Sequence, residues 1–177
     1  MNRRSFLLAP AFVLTLAGCG GDDGEESGYG VIDWPDGADN GAAPGEQATN
    51  FRLETPDGVD LVLADQIGAP MVVNFLASWC PNCMEEMEAL EAVHLQGVPV
   101  IGVNLRESAD TVTKIKTDSG ATFPIGLDTT GKVTRAFKII NLPGTVVLRA
   151  DGTIETVIRG PITEESLLEA VQAAGAS

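Results

Sequence analysis

Met71-Val72-Val73-Asn74-Phe75-Leu76 and, after Ala77-Ser78, Trp79-Cys80-Pro81-Asn82-Cys83 are the residues on which the fold of this chain turns. The first run is apolar almost throughout, as expected of a central strand buried on both faces. A helix-like segment from about Pro81 to Leu95 follows, and Val98 to Leu105 repeats the character of the first run. Strand, helix and strand at this spacing make a βαβ crossover, whose strands run parallel. The two cysteines then fall at a strand-to-helix junction. A helix N-terminus favours anions and therefore the thiolate, the reactive form of cysteine. Two cysteines separated by two residues can close and reopen a small disulfide ring, so disulfide exchange is the expected chemistry.

Further along the chain, Ser108 is placed to cap a second helix reaching about Ser119. Phe123 to Leu127 reads as a short strand and Thr129 to Lys138 as a third helix. Thr145 to Leu148 and Thr153 to Ile158 read as strands joined around Asp151-Gly152, a strong hairpin signal. Thr163 caps a last helix, with Glu164 and Glu165 in its first turn. On the N-terminal side, Phe51 to Thr55 and Val59 to Leu63 flank Pro56-Asp57-Gly58 as a β-hairpin. The expectation for residues 51–177 is an α/β domain with a central mixed sheet, helices on both faces and an N-terminal β-hairpin.

The chain has 177 residues, 44% hydrophobic and 20% charged, enough for one domain with a buried core plus tails. A net charge of −14 repels phosphate backbones and argues against nucleic-acid partners. Of the 3 cysteines, Cys19 stands apart, which leaves one close pair and no disulfide scaffold. Arg3-Arg4-Ser5-Phe6-Leu7 opens an apolar run to Ala17, the form of an export signal, and resembles the twin-arginine class. Leu16-Ala17-Gly18-Cys19 resembles a lipoprotein processing box, which implies residues 1–18 as a signal peptide and a lipid on Cys19. The alternative is a plain cleaved signal. Gly20 to Asn50 holds eight acids and no base, with sparse apolar residues. Residues 19–50 are therefore expected to be an acidic disordered tether, with Tyr29 and Trp34 as linker residues. This arrangement would hold the domain at the outer side of the cell membrane.

On a helical wheel at about 100° per residue, Glu86 falls about 60° from Cys83, in the arc of Met87, Leu90 and Val93. Glu85 and Glu88 fall on the opposite side. A carboxyl held against a core has a raised pKa and can exchange protons with a cysteine. Met84, Met87 and Leu90 read as core, and His94, the only histidine, as a packed helix residue. A structural zinc site needs four ligands, and only His94 joins the two cysteines nearby; no metal or other cofactor is expected.

Val73-Asn74-Phe75, Trp79-Cys80-Pro81-Asn82-Cys83, Gly102-Val103-Asn104 and Leu142-Pro143 before a strand occur in the order found in thioredoxin-like proteins. Over residues 45–175 the chain resembles the membrane-tethered TlpA/ResA/CcmG group of thiol-disulfide oxidoreductases. That resemblance implies Cys80 as attacking thiol, Cys83 as resolving thiol and an acid at Glu86. It also implies Asn74 in place of the buried acid of cytoplasmic thioredoxins, and Pro143 as a cis-proline facing the pair. The partners implied are disulfide-containing proteins, apocytochrome c among them, and a membrane thiol carrier of the CcdA/DsbD type as electron donor. Three departures stand out: Leu76 for a common Trp, Glu88 for a common Pro, and Pro143-Gly144-Thr145 for Pro-Thr-Thr. Gly144 is expected to loosen the substrate-facing loop. The alternatives are a disulfide oxidase or isomerase, a Sco-like copper-delivery module, and a peroxiredoxin-type peroxidase. The copper module calls for three residues between the cysteines and a histidine far downstream. The peroxidase calls for Pro and Thr or Ser where Val73 and Ala77 stand.

Overall fold

The computed structural model describes residues 28–176. Along the chain lie strands β1 (Gly30–Val31), β2 (Phe51–Glu54), β3 (Asp60–Val62) and β4 (Met71–Leu76), then helices α1 (Pro81–Glu85) and α2 (Met87–Leu95). After them come β5 (Val100–Leu105), α3 (Ala109–Ser119), β6 (Ile125–Asp128), α4 (Lys132–Ala136), β7 (Gly144–Leu148), β8 (Ile154–Arg159) and α5 (Glu164–Gly175). The central sheet runs β6-β5-β4-β7-β8 and a smaller antiparallel sheet runs β1-β2-β3. β4, β5 and β6 are parallel, as the crossover pattern requires; β7 pairs antiparallel with β4, and β8 antiparallel with β7. This is the expected thioredoxin-like α/β arrangement, and β2 with β3 is the expected hairpin.

β4 is buried at every position, because its pleat feeds two cores. Val73 and Phe75 point into a core shared with Phe51, Leu53, Leu61, Phe137 and Val146. Val72 and Leu76 point into the other, with Met87, Leu90, Val112, Val147 and Leu167. The first core joins the small sheet and α4 to one face, and the second joins α1–α2, α3 and α5 to the opposite face. Phe137 sits between Phe51 and Phe75, with ring centroids 6.1 and 5.1 Å apart, contacts worth about 0.5–1.5 kcal/mol each beyond their buried area.

Residues 28–50 do not form the expected tether. Gly30 and Val31 pair with Arg52 and Phe51, and Trp34 is buried, its indole N–H donating to the Ala48 carbonyl at 2.8 Å. Tyr29 is likewise engaged, its hydroxyl donating to Asp60 at 2.8 Å. Asn50, fully buried, donates to the Asp33 carbonyl and accepts from the Phe51 and Ala64 amides. The Ala48 amide donates to Gly152 and the Ile154 amide to Glu46, which ties this strap to the start of β8. Average composition pointed to disorder. Trp34, Ala42 and Ala48 nevertheless turn inward, although Tyr29 and Val31 stay exposed. The strap's backbone pairs with β2 and β8, so the domain includes residues well before Phe51. The expected signal peptide, the lipidated Cys19 and the first part of the tether lie outside the described residues. Among the described residues no helix is long and apolar enough to cross a membrane.

Two smaller differences concern helices. The segment from Pro81 to Leu95 is interrupted at Glu86 (φ −84°, ψ −7°), although Glu86 N–H still donates to Asn82 and Glu86 C=O accepts from Leu90. The third helix is confined to Lys132–Ala136, because the Asp128 carboxylate takes the Val133 and Thr134 amides and fixes where it starts.

Candidate active site

Cys80 and Cys83 form a disulfide at the point where the chain leaves β4 and enters α1. Cys80 is the N-cap of α1, with Pro81 at the first helical position, and its sulfur accepts the Cys83 amide N–H at 3.3 Å. Proline suits this place because its fixed φ matches the helix and its missing N–H would have had no partner. Cys83 is fully buried and Cys80 is 6% exposed, so the first cysteine is the one an incoming group can reach.

Behind the pair, the α1–α2 face of the sheet carries a polar cluster inside an otherwise apolar core. Asn74 lies on the same side of β4 as Val72 and Leu76, and register places it opposite Thr145 of β7. Its Nδ2 donates to Thr145 Oγ1 at 3.1 Å and to Glu86 Oε1 at 2.8 Å. The other carboxylate oxygen, Oε2, accepts the Ile162 backbone N–H at 3.3 Å, from the turn leading into α5. Glu86 is only 3% exposed and Asn74 and Thr145 are fully buried. Burial pushes the Glu86 carboxyl from 4.5 up to about 7, against the opposing pull of the Asn74 and Ile162 hydrogen bonds. A proton can therefore be held or given up there near neutral pH.

The wall of the site comes from the α4–β7 loop. The Leu142–Pro143 peptide bond is cis, and the β4–β7 register, Phe75 with Gly144, sets Pro143 alongside Leu76, where the Cys80 loop begins. Leu142 packs against the cluster that contains both cysteines. Trp79, 64% exposed, and Ile140, 84% exposed, offer apolar surface on the two loops; uncovered apolar side chains of this size at a reactive centre suit contact with another polypeptide. Among the described residues no group of three or more His, Cys, Asp or Glu side chains is placed to hold a metal ion.

With this geometry in view, a family model described as AhpC/TSA family matches residues 44–157. The chain belongs to the AhpC/TSA family. Among relatives within this thioredoxin-like group, the thiol-disulfide oxidoreductase ResA of Halalkalibacterium halodurans is 36% identical over 132 residues, covering 72% of this chain and 75% of the relative. A solved thio-disulfide isomerase from Thermus thermophilus superposes with a TM-score of 0.65 at 30% identity, covering 76% of this chain and 98% of that one. A secreted Mycobacterium tuberculosis disulfide oxidoreductase, described as homologous to Escherichia coli DsbE, superposes with a TM-score of 0.64 at 25% identity, covering 70% and 95%. The chain is a thiol-disulfide oxidoreductase of the ResA and DsbE type, and it carries a Cys80–Cys83 disulfide of the C-x-x-C form.

The structure joins Cys80 to Cys83, sets Glu86 one helical turn beyond Cys83 as the wheel suggested and against Asn74, and puts Pro143 at the end of β4. Glu85 and Glu88 are exposed and His94 packs edge-on to Phe123 with its Nδ1 3.3 Å from the Val98 carbonyl oxygen. The reading of Gly144 is reversed. It is a buried strand residue, and a Cβ there would lie 2.8 Å from Ile139 Cγ2 and 3.1 Å from Ile139 Cδ1. The missing side chain leaves the room that Ile139 fills, so Gly144 is a packed position and not a loose one. Thr145 as a partner of Asn74, and the Ile162 amide as a partner of Glu86, were not anticipated. Thr145 faces the same side as Asn74 because the β4–β7 register sets the two opposite each other.

Proposed function

We propose that this protein reduces disulfide bonds in other proteins outside the cytoplasm, held to the membrane by a lipid on Cys19. Apocytochrome c cysteines awaiting haem attachment are one fitting substrate, and a membrane thiol carrier of the CcdA/DsbD type would return the electrons. The observation that carries the reductase reading is the buried carboxyl of Glu86, one helical turn beyond Cys83, poised to change charge near neutral pH.

The reaction starts from the dithiol. The Cys80 thiolate, favoured by the helix N-terminus, attacks one sulfur of the substrate disulfide. A Cys80–substrate bond forms, the substrate S–S bond breaks, and one substrate thiolate leaves and takes a proton. The buried Cys83 thiol must then lose its proton to become a nucleophile, and the Glu86 carboxylate is the base for it. Cys83 attacks the Cys80 sulfur, closes the Cys80–Cys83 disulfide and expels the second substrate thiolate, which recovers a proton. Two electrons and two protons pass from the cysteine pair to the substrate. Pro143 and Leu142 line the side from which the substrate chain approaches, and Trp79 and Ile140 supply its apolar footing. The export and lipoprotein pattern over residues 1–19 supports the location. Ala77, buried and apolar, offers no hydroxyl where a peroxidase needs Thr or Ser, and Val73 stands where it needs Pro.

The test is the reduction potential of the Cys80–Cys83 couple, measured by equilibration with glutathione or dithiothreitol. A reductase lies near the thioredoxin value of about −270 mV; a value near the DsbA figure of about −120 mV would make the protein an oxidase instead.

A further inference from the structure

Glu107, in the loop between β5 and α3, takes no part in the steps above, yet its carboxylate gathers three donors. Oε2 accepts the Ser78 backbone N–H at 2.8 Å and Asn104 Nδ2 at 2.7 Å, and Oε1 accepts the Ser78 hydroxyl. The place of Ser78 gives this a meaning. The β4–β5 pairing ends at Leu76 opposite Asn104, so the Ser78 amide lies beyond the last strand partner. The Cys80 N–H donates to the Ala77 carbonyl at 3.1 Å. Ser78 and Trp79 are thus the central residues of a tight turn that ends at Cys80, and Glu107 grips that turn from the side.

Two features mark this grip as built into the fold. Asn104 is fully buried and its Oδ1 has no hydrogen-bond partner among the described residues, while its Nδ2 is given to Glu107. An unmet buried acceptor is costly to keep. Arg106 adopts φ 59°, a left-handed conformation that is strained in a non-glycine residue. Its N–H donates to the Asp128 carbonyl at 3.1 Å, and the turn it makes lets Glu107 reach back to β4. A solvated surface acid needs neither.

We propose that Glu107 is a positioning residue for disulfide exchange, holding the Ala77–Cys80 turn so that the Cys80 sulfur keeps its line of approach to a substrate disulfide. In the disulfide state Cys80 is also held by its bond to Cys83. Reduction removes that bond, and the Ala77 carbonyl and Glu107 then carry the turn, at the stage when Cys80 must attack. Exchange requires the attacking sulfur to line up with the S–S bond that it breaks, whereas alkylation of a thiolate accepts many directions of approach. The inference rests on disulfide exchange at Cys80 and not on its direction in the cell.

The experiment uses the reduced full-length protein in single turnovers with insulin, with glutathione disulfide and with iodoacetamide. Glu107→Ala is expected to slow both disulfide reactions roughly 10- to 100-fold, the scale of a misplacement near 1 Å, and to change alkylation by less than about twofold. Glu107→Gln, which keeps one acceptor oxygen, and Ser78→Ala, which keeps the amide contact, are expected to lose less, in that order. They also carry the test if Glu107→Ala fails to fold, which circular dichroism would show. Variants that match wild type on glutathione disulfide, or that lose exchange and alkylation in equal measure, would overturn the role of Glu107. A wild-type protein active on glutathione disulfide but inert towards insulin would instead overturn the protein-reductase reading, with the role of Glu107 still decided by the variants.

Discussion

Glu86→Gln removes the one buried carboxyl behind the cysteine pair and keeps its shape. Asn74 Oδ1 has no partner among the described residues, so the Asn74 amide can turn over, accept from the new glutamine amide and still bond Thr145. The variant should therefore fold. Raising a carboxyl from 4.5 to about 7 means that the folded state binds its proton more tightly than the unfolded chain, by about 3 kcal/mol. Below about pH 4.5 both states are protonated and this stability is fully present. It drains away as pH rises, because the unfolded chain ionises first, and by about pH 7 it is gone. Urea unfolding across this range should show that loss in the wild type and a profile flatter by about 3 kcal/mol in Glu86→Gln. In the proposed mechanism the ionised carboxylate serves as the base for Cys83, so the wild-type rate should climb through a limb near pH 7. Glu86→Gln should lose that limb and about 100-fold in rate, the lower end of general acid–base effects. Insulin reduction followed from about pH 5 to 9 measures both. A limb near pH 7 that survives the substitution, or an unchanged stability profile, would refute the assignment.

Asn74→Ala removes the side-chain donor that favours the charged form of Glu86, so the limb in the pH–rate profile should move above pH 7. Trp34→Ala should cost about 3–5 kcal/mol in urea unfolding; a loss under about 1 kcal/mol would mean that the strap over residues 28–50 is peripheral to the fold. Gly144→Ala drives a methyl group into Ile139 and should destabilise by about 1–3 kcal/mol, whereas an unchanged urea midpoint would restore the loose-loop reading.

Most of the frame could be read from local pattern. The uniformly apolar run at β4, the crossover to β5 and the hairpin at Asp151-Gly152 are short-range signals, and each became the element it suggested. Glu86 was legible for the same reason, since helical periodicity places an acid among Met87, Leu90 and Val93. What local pattern could not show was who meets whom across the chain. Thr145 and the Ile162 amide lie 59 and 76 positions after Glu86 in sequence, and only the β4–β7 register and the docking of α5 bring them there. The strap was misread because disorder was inferred from an average over many acids, while its folding depends on Trp34, Ala48 and Asn50 each finding a place inside. Gly144 was misread because freedom was assigned to the residue without knowing that Ile139 occupies its missing side chain. No local pattern singled out Glu107, whose oxygens meet the Ser78 turn only in the folded chain.

The claim at the centre of this account is that Cys80 attacks protein disulfides and Cys83 releases them. The most direct measurement is a Cys83→Ser trap, with the reduced variant exposed to membrane and extracytoplasmic proteins and separated without reductant. Mixed disulfides that run through Cys80, dissolve with dithiothreitol and vanish in a Cys80→Ser variant are the expected result. A Cys83→Ser protein that captures no partner, or captures the same partners without Cys80, would contradict it.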